Sequence, residues 1–584
     1  MKRLTLACAF AAVFASLAIH GQPAPFNVVE ATIPQIREAM EQKRLTSRQL
    51  VMIYLARIAM YEDRLNATLA VNSHALEEAD RLDRERAQGR IRGPLHGIPV
   101  ALKDNIHTTD MPTTGGALAF ANYRPPYEAT LTRNLRDAGA IIIAKTGLTE
   151  LANWVAGNPN AMPGNYNAVG GFAYNPYDPR PDPRDNPGDG RPVLQTGGSS
   201  SGVGTAASFW AANVGSDTGG SVISPSNANM LVGIRPTIGR ISRYGVIPIT
   251  ADHDTAGPMT RTVTDAAIMM GALESPTPDP NDPASPFRTI CTTPPNRDYT
   301  KFLNAGGLKG ARIGIPRAFY YDRITLTGDQ TARPEGIGPT TGITAGRGGL
   351  NPAQAKAMAD AIAVLKAQGA VVVDPADVPS LAAKNPAENF AAWDFCSGAE
   401  HAKGKDAGCS VNFKYGMKRD FNSWLKSLGP SAPVKSLTAL REWNTAHAKA
   451  GAIKFGQSRL DISDEMDLAA DKARNDADDK KDVALSRANG IDAVLKANRL
   501  DAIFTPGGAG AGLAARSGYP IIVVPFATIP NAPNNAPYPA GFDAKPAPFG
   551  VGFTGTPCSE PKLIELAYAF EQATKKRVPP TSTP

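Results

Sequence analysis

The stretch GGSSSGVGTAASFWAANVGSDTGGS, residues 197–221, begins and ends with the same Gly-Gly-Ser triplet. Three consecutive serines occupy positions 199–201, and Ser221 closes the second triplet. Glycines let a backbone turn tightly and bring its N–H groups close to a bound group. The fold and the chemistry of the chain depend on whether one of these serines is a nucleophile.

The composition is that of an ordinary globular protein. The chain has 584 residues, of which 42% are hydrophobic and 20% charged, and its formal net charge is +7. No run of basic residues is concentrated enough to follow a nucleic acid backbone, so we expect no nucleic acid partner. Beyond the N-terminus no apolar stretch reaches the roughly 20 residues of a membrane span, so we expect no stable membrane insertion. The sequence leaves the oligomeric state open.

The N-terminus predicts a secretory signal peptide over residues 1–21. Lys2 and Arg3 precede an apolar run, and small residues follow it. Cleavage after Ala18, Gly21 or Ala24 fits this pattern equally well. We therefore expect a mature protein exported to the periplasm or the extracellular space.

Four cysteines follow the predicted signal peptide. An oxidising compartment permits disulfides, and Cys396 with Cys409 is the most local pair. Buried, unpaired cysteines are the alternative. The sequence has no Cys-x-x-Cys and no close pair of histidines, so we expect no metal ion.

Apolar runs predict an α/β fold with one long sheet. The segments 97–103 and 140–145 are typical of strands, and residues 129–139 between them are helical in pattern, which indicates a βαβ unit. Further helices are predicted over 45–58, 73–88, 351–369 and 560–575, and further strands at 311–316, 501–506 and 520–525. Residues 385–490 are charged, helical and poor in strands, so we expect a helical cap there, within one domain spanning residues 22–584.

Two serine chemistries fit the 197–221 stretch poorly. Ser200 is the centre of a G-x-S-x-G pattern, but that elbow needs a buried strand before it and a histidine base after it. The residues before it are mainly Pro, Asp, Arg and Gly. Motifs of penicillin-binding enzymes also occur, at 145–147, 216–218 and 559–562, but in reversed order.

A third chemistry pairs the serine with a lysine base, and Lys103 ends the apolar strand 97–103. Together with this strand, the Gly/Ser-rich block resembles the amidase signature family. Nearly the whole chain takes part in the resemblance, which also rests on the segments 45–48, 92–99, 144–151, 229–242, 252–267 and 566–574. The resemblance implies a single large mixed β-sheet flanked by helices, with the helical cap inserted.

The resemblance implies a Ser-cis-Ser-Lys triad. Ser221 is then the acylated nucleophile, Lys103 the base, and Ser199 the cis-peptide serine that relays protons. The spacing from Ser199 to Ser221 is two residues shorter than is usual in the family. We place the shortening in a predicted helix around 203–212, with Ser200 and then Ser201 as alternative relay residues.

The backbone N–H groups of Thr218, Gly219 and Gly220, with that of Ser221, are expected to form the oxyanion hole. An unperturbed lysine is neutral in only about one molecule in 2,500 at pH 7, so burial must lower the pKa of Lys103.

The implied function is an amidohydrolase that cleaves a carboxylic amide to an acid and ammonia or an amine through an acyl-enzyme, without cofactor or metal. The partner is a small-molecule amide. Small amides, anilides and C-terminal amides of peptides all remain open as substrates. The alternatives are an esterase or aryl acylamidase with the same triad, and a non-catalytic amide-binding protein.

Several polar residues near these motifs are expected to be structural: Asp217, Arg235, Arg240, His96 and His107. Three tryptophans are candidates for an apolar lining of the substrate site: Trp154, Trp393 and Trp424.

Overall fold

The protein is described here by a computed structural model. It describes residues 26–157, 160–184, 188–198, 202–282, 290–327, 347–396, 408–531 and 537–584. The predicted signal peptide and Ser199, Ser200 and Ser201 lie outside the described residues.

The strands carry the labels used below. They are β1 (Thr68–Val71), β2 (Pro99–Lys103), β3 (Ile141–Thr146), β4 (Tyr166–Asn167), β5 (Gly171–Phe172), β6 (Ala212–Asp217), β7 (Val232–Arg235), β8 (Thr255–Thr260), β9 (Arg312–Gly314), β10 (Val371–Val373), β11 (Ala502–Pro506), β12 (Ile521–Ile529) and β13 (Ala547–Thr554).

The α-helices are α1 (Ile33–Glu41), α2 (Ser47–Leu65), α3 (Ala75–Ala87), α4 (Thr130–Asp137), α5 (Val203–Ala206), α6 (Ile223–Ala228), α7 (Val263–Leu273), α8 (Arg317–Tyr320), α9 (Pro352–Ala367), α10 (Pro379–Ala382), α11 (Asn412–Ser427), α12 (Leu437–Ala446), α13 (Ser458–Asp464), α14 (Lys472–Val483), α15 (Asp492–Asn498), α16 (Ala511–Ser517) and α17 (Glu560–Thr574). None of these helices combines the length and the apolar character that a bilayer span requires.

One mixed sheet organises the molecule. Its strand order is β1-β3-β2-β6-β8-β7-β12-β13-β11-β9-β10. The neighbours β3, β2 and β6 run parallel, as do β11, β9 and β10, and the strands between these two groups are antiparallel. The predicted large mixed sheet flanked by helices is therefore confirmed.

The parallel strands near the predicted lysine are buried on both faces. Every residue of β2 and β3 is buried, and their sequences PVALK and IIIAKT are almost continuously apolar. Such runs are typical of parallel strands with helices on both sides of the sheet. The lysines at the ends of these two strands are therefore carried into the interior.

Four predicted helices agree with the structure within a few residues, namely α3, α4, α9 and α17, whereas α2 ends at Leu65, beyond its predicted end at residue 58. The segment predicted at 45–58 becomes α2, whose N-cap Thr46 accepts from the backbone N–H of Gln49, while the Gln49 side chain accepts from Thr46. The helix predicted around 203–212 was too long, because α5 has a single turn and Ala212 already begins β6. Burial of β6 in the middle of the sheet outweighs the helical propensity of its alanine-rich approach.

Two strands that sequence patterns missed contain glycine and proline. These are β8, with sequence TAGPMT, and β13, with sequence APFGVGFT. In β8 the glycine is required by packing, since a Cβ atom at Gly257 would lie 1.9 Å from the Ile234 carbonyl oxygen. Residues that usually interrupt strands are used here to let strands approach closely.

The segment 408–498 carries helices α11 to α15 and, in the described residues, no strand of the sheet. Its apolar side chains form a second cluster with residues of the main fold, in which Phe421 and Trp424 of α11 pack against Phe120. This contact packs α11 against the chain that follows β2.

Two disulfides are present among the described cysteines. Cys396 is joined to Cys409, the local pair favoured by the sequence. Cys291 is joined to Cys558 across 267 residues of sequence, which links the chain after α7 to the start of α17. The sequence did not indicate the second pair, because Cys291 and Cys558 are far apart in the chain and come together only in the folded protein.

Candidate active site

Lys103 ends β2 and lies beside the end of β6. Because these strands are parallel and paired from Val100↔Ala212 to Leu102↔Val214, the last residues of both strands meet at one edge of the sheet. The Lys103 Nζ donates to the Ser216 Oγ at 2.8 Å, and the Asn105 side-chain amide donates to the same oxygen at 2.9 Å. The lysine is thus fixed in position by its neighbours.

The environment of Lys103 favours the neutral amine. Its side chain is completely buried, and no carboxylate of the described chain lies within ion-pair distance of its Nζ. Burial lowers the pKa of Lys103 to about 7, although Asp217 and Asp254 act in the opposite direction. The sequence argument required such a lowered pKa, and the geometry provides its cause.

The turn after β6 is held by Asp217. One carboxylate oxygen accepts from the N–H of Gly220 at 2.8 Å, and the other accepts from the N–H of Val222 at 2.7 Å. Arg235, also fully buried, donates to the same carboxylate at 2.7 Å. Asp217 and Arg235 therefore have the structural roles expected of them, and they fix the segment that carries Ser221.

Gly220 has a backbone conformation that suits glycine. Its φ is +124°, and a Cβ atom would lie 3.1 Å from the Ala511 Cβ and 3.3 Å from the Ser224 Oγ. Its N–H already donates to Asp217. A contribution of this N–H to an oxyanion hole would therefore share the bond with the Asp217 carboxylate.

Thr218 is bound to a buried carboxylate on its other side. Its Oγ1 donates to the Asp254 Oδ1 at 2.5 Å, and the N–H groups of Ile249 and Thr250 donate to Oδ2 at 2.9 and 3.1 Å. Burial raises the pKa of Asp254 to about 7. The predicted oxyanion turn is thus attached to the loop 249–254.

A cavity of about 460 Å³ opens at this turn. Thr218, Gly219 and Ser221 line it together with aromatic side chains from other segments, among them Trp154, Trp393, Phe395 and Phe413. The Phe395 and Phe413 rings are stacked, with centroids 3.6 Å apart. The cavity volume is in the range of sites for small organic ligands.

The structure brings most of the predicted residues together. Lys103 lies at the strand edge from which the Thr218 to Ser221 turn begins, and Trp154 and Trp393 line the cavity. Trp424 does not line this cavity; it lines a separate pocket, and its indole N–H donates to the Nε2 of His107 at 3.0 Å. Ser199, Ser200 and Ser201 lie outside the described residues, so the relay position stays a prediction.

The other expected structural residues have protein partners. Arg240 donates to Glu560 at 3.0 Å, and His96 donates through Nε2 to the Leu82 carbonyl oxygen at 3.0 Å. Within the described residues no group of three or more His, Cys, Asp or Glu side chains could hold a metal ion.

Sequence reasoning missed three residues of this site: Ser216, Asn105 and Asp254. Ser216 was noted only as part of a motif of another enzyme class, yet it accepts hydrogen bonds from both Lys103 and Asn105. Its contact with Lys103 depends on the parallel pairing of β2 with β6, and the sequence patterns had not predicted the strand β6. Asp254 lies 36 residues after Thr218, and no local pattern links the two.

Comparison with known proteins identifies the family to which the chain belongs. A family model described as Amidase matches residues 49–333. A protein of Arabidopsis thaliana named as a probable amidase is 33% identical over 561 residues, which cover 95% of this chain and 92% of the relative. The chain belongs to the amidase family. Amide hydrolysis is the chemistry of this family, and the α/β fold described above is its fold.

Two further relatives of this amidase differ in what they act on. The native peptide amidase of Stenotrophomonas maltophilia has 34% sequence identity and a TM-score of 0.75, covering 96% of this chain and 100% of that one. A glutamyl-tRNA(Gln) amidotransferase subunit of Gloeobacter violaceus is 30% identical over 559 residues, which are 94% of this amidase and 98% of the relative. The comparisons thus establish the family, but they do not identify the substrate of this amidase.

Proposed function

We propose that this amidase hydrolyses the C-terminal amide of peptides, with Ser221 as nucleophile, Lys103 as base and Ser199 as proton relay. The observation that carries the proposal is the buried Lys103, which lacks a carboxylate partner in the described chain and lies at the root of the turn bearing Ser221. A neutral amine in that position can accept a proton at physiological pH.

In the proposed mechanism, Lys103 takes a proton from Ser199, which takes one from Ser221 as its oxygen attacks the amide carbonyl carbon. The backbone N–H groups of Thr218, Gly219 and Gly220 stabilise the negative oxygen that forms. The C–N bond then breaks, and the nitrogen receives a proton through the same relay and leaves as ammonia. Water next attacks the acyl-Ser221 ester by the same proton route, which releases the acid and restores the serine.

Two observations support a peptide amide as substrate. One of the solved structures to which the chain is similar, at 34% identity, is that of a peptide amidase. The cavity at Ser221 is also larger than a small aliphatic amide needs, and its wall contains Trp154, Phe395 and Phe413, which suit the side chains of a peptide.

We also propose that the protein is exported. The N-terminal segment has the pattern of a signal peptide, and the two disulfides support an oxidising compartment, because such bonds are rare in the cytosol.

The test compares wild type with Ser221→Ala on four substrates: a peptide amide, a small aliphatic amide, an anilide and an ester. We expect wild type to release ammonia from the peptide amide fastest, and Ser221→Ala to be slower by about 10³-fold or more. Ser559→Ala, a serine of the rejected motif at 559–562, is the matched control and retains full activity. Activity that survives in Ser221→Ala would refute the assignment of Ser221 as the nucleophile. If wild type hydrolyses only the ester, the proposed substrate class would be an ester and not an amide.

A further inference from the structure

The cavity at Ser221 has an excess of positive charge. Among the described residues that line it, three are charged: Arg459, Arg516 and Asp394. Asp394 is at the rim, where 64% of its side chain is exposed. Two cations and one exposed carboxylate thus face the space in which the substrate binds.

Arg516 is already paired with groups of the protein. Its guanidinium lies 3.5 Å from the Asp394 Oδ1 and 3.6 Å from the Asp482 Oδ1. Its Cζ is 4.0 Å from the centroid of Phe395 and 4.7 Å from that of Phe390, so the two rings contact it. These contacts account for the charge of Arg516 without a ligand.

Arg459, on α13, makes no ion pair in the described chain, and Asp394 acts on it only from a greater distance. Its Nη1 donates to the carbonyl oxygen of Asn153, and its guanidinium is 5.0 Å from the ring centroid of Trp154. Its Nε is buried and has no hydrogen-bond partner, and in the described parts of the chain no carboxylate is within ion-pair distance of it.

This arrangement costs free energy in the empty site. Arg459 as a whole is half-buried, but its Nε is fully buried, and a buried N–H without an acceptor loses its hydration without compensation. Burial lowers the pKa of Arg459 to about 10, so the guanidinium still carries its charge at neutral pH. Arg459 lines the cavity at Ser221, so a bound substrate is placed to supply the counter-charge.

We propose that Arg459 binds a carboxylate of the substrate, so that the enzyme prefers peptide amides with an aspartate or glutamate side chain near the scissile amide. The inference rests on the proposed function. Because hydrolysis of a primary amide releases only ammonia, the carboxylate must belong to the acyl part, which is the peptide. A planar guanidinium suits this task, since its N–H groups match the two oxygens of a carboxylate.

The test uses acetylated dipeptide amides that differ only in glutamate or glutamine, placed either at the amidated residue or at the residue before it. Chromatography of the peptide acid measures kcat/KM. We expect wild type to favour glutamate by about tenfold at one of these positions, the effect of one charge-assisted hydrogen bond. In Arg459→Met the ratio falls to about one, and in Arg459→Lys part of the preference remains.

Lys454→Met is the matched control. It removes the same charge from an exposed position five residues earlier in the chain, away from the residues that line the cavity. It leaves the glutamate preference unchanged, which separates binding by Arg459 from a general loss of positive charge.

Binding to Ser221→Ala, measured by titration calorimetry with the same peptide amides, gives a readout that needs no turnover. We expect the glutamate peptide to bind about tenfold more tightly than the glutamine peptide, and Arg459→Met in this background to abolish the difference. If wild type shows no glutamate preference at either position, or if Arg459→Met keeps it, the inference is wrong. A fully active Ser221→Ala would instead refute the proposed function, whatever the glutamate ratio.

Discussion

Lys103 is the last residue of β2 and Lys145 the penultimate residue of the adjacent parallel strand β3, and both are completely buried. Their surroundings differ in charge. The Lys145 Nζ lies 3.2 Å from the Asp104 Oδ1 and donates to the Thr113 Oγ1 at 2.7 Å, whereas Lys103 contacts the hydroxyl of Ser216. Burial lowers the pKa of Lys145 as well, but Asp104 acts against that shift from ion-pair distance, whereas no carboxylate of the described chain lies that close to Lys103. Lys103 is therefore the lysine available as a base.

This difference predicts a specific pH dependence. Because the neutral form of Lys103 is the active one and its pKa is lowered to about 7, kcat/KM should rise with pH through about 7 and level off above it. A steady-state pH profile from acid to mild alkali measures this inflection. Lys103→Ala should lose turnover.

Lys145→Gln is the control for this prediction, since it also removes a buried lysine from a strand end but should keep the inflection near 7. A profile that rises only near the ordinary lysine pKa would contradict the lowered value. Substantial activity in Lys103→Ala would exclude this residue as the base.

The loop 249–254 connects α11 to the predicted oxyanion turn. Asp420 of α11 accepts from the Ala251 N–H at 2.7 Å, and Arg419 donates to Asp252 at 2.9 Å. At the other end of the loop, Asp254 accepts from the hydroxyl of Thr218. The position of the turn therefore depends on a helix from the segment 408–498.

Thr218→Val tests this connection. Valine has nearly the shape of threonine and keeps the backbone N–H, but it cannot donate to Asp254. We expect kcat to fall about five- to tenfold with little change in KM, because the displaced N–H groups would stabilise the transition state less well. Steady-state kinetics measure both parameters.

Thr218→Ser, which keeps the hydroxyl, should restore most of the activity. Thr255→Val, a similar change in the neighbouring strand β8, should leave kcat unchanged. The connection has no functional role if Thr218→Val is as active as wild type.

Sequence patterns predicted those strands and helices that have a local signal in the chain. The apolar runs of β2 and β3 and the capped α2 were predictable, and the family motif pointed to Lys103 and Ser221. The strands β8 and β13 were missed, since their glycines and prolines have low strand propensity and are tolerated only through packing.

The site residues that the sequence could not predict contact residues that are far from them in the chain. The contact of Ser216 with Lys103 depends on strand register, and that of Asp254 with Thr218 depends on a loop that returns to the turn. Arg459 reaches the cavity from α13, more than 200 residues after Ser221 in the chain. Such contacts follow from the tertiary structure alone.

For the whole molecule, the two disulfides should have different effects. The Cys291–Cys558 bond closes a loop of 267 residues, and neither cysteine lines the cavity. Long loop closures mainly restrict the unfolded chain. The double variant Cys291→Ser/Cys558→Ser should therefore lower the free energy of unfolding by about 2–5 kcal/mol and leave kcat/KM intact. Thermal unfolding followed by circular dichroism, together with kinetics at a lower temperature, measures the two effects.

The variant Cys396→Ser/Cys409→Ser gives the contrast. Cys396 directly follows Phe395, which lines the cavity. Loss of this disulfide should therefore raise KM for the peptide amide, and it should lower the melting temperature less than loss of the Cys291–Cys558 bond does. Equal effects of the two double variants on KM would contradict this assignment.

The residues around the cavity come from different parts of the chain. Lys103 and the turn with Ser221 belong to the central strands, whereas Phe413 and Arg459 come from helices of the segment 408–498. Exchanging that segment for one from a relative should therefore transfer substrate choice between enzymes and leave the bond-breaking residues untouched. For such a graft to be productive, it must retain an acceptor equivalent to Asp420, because the loop behind the turn is bound there.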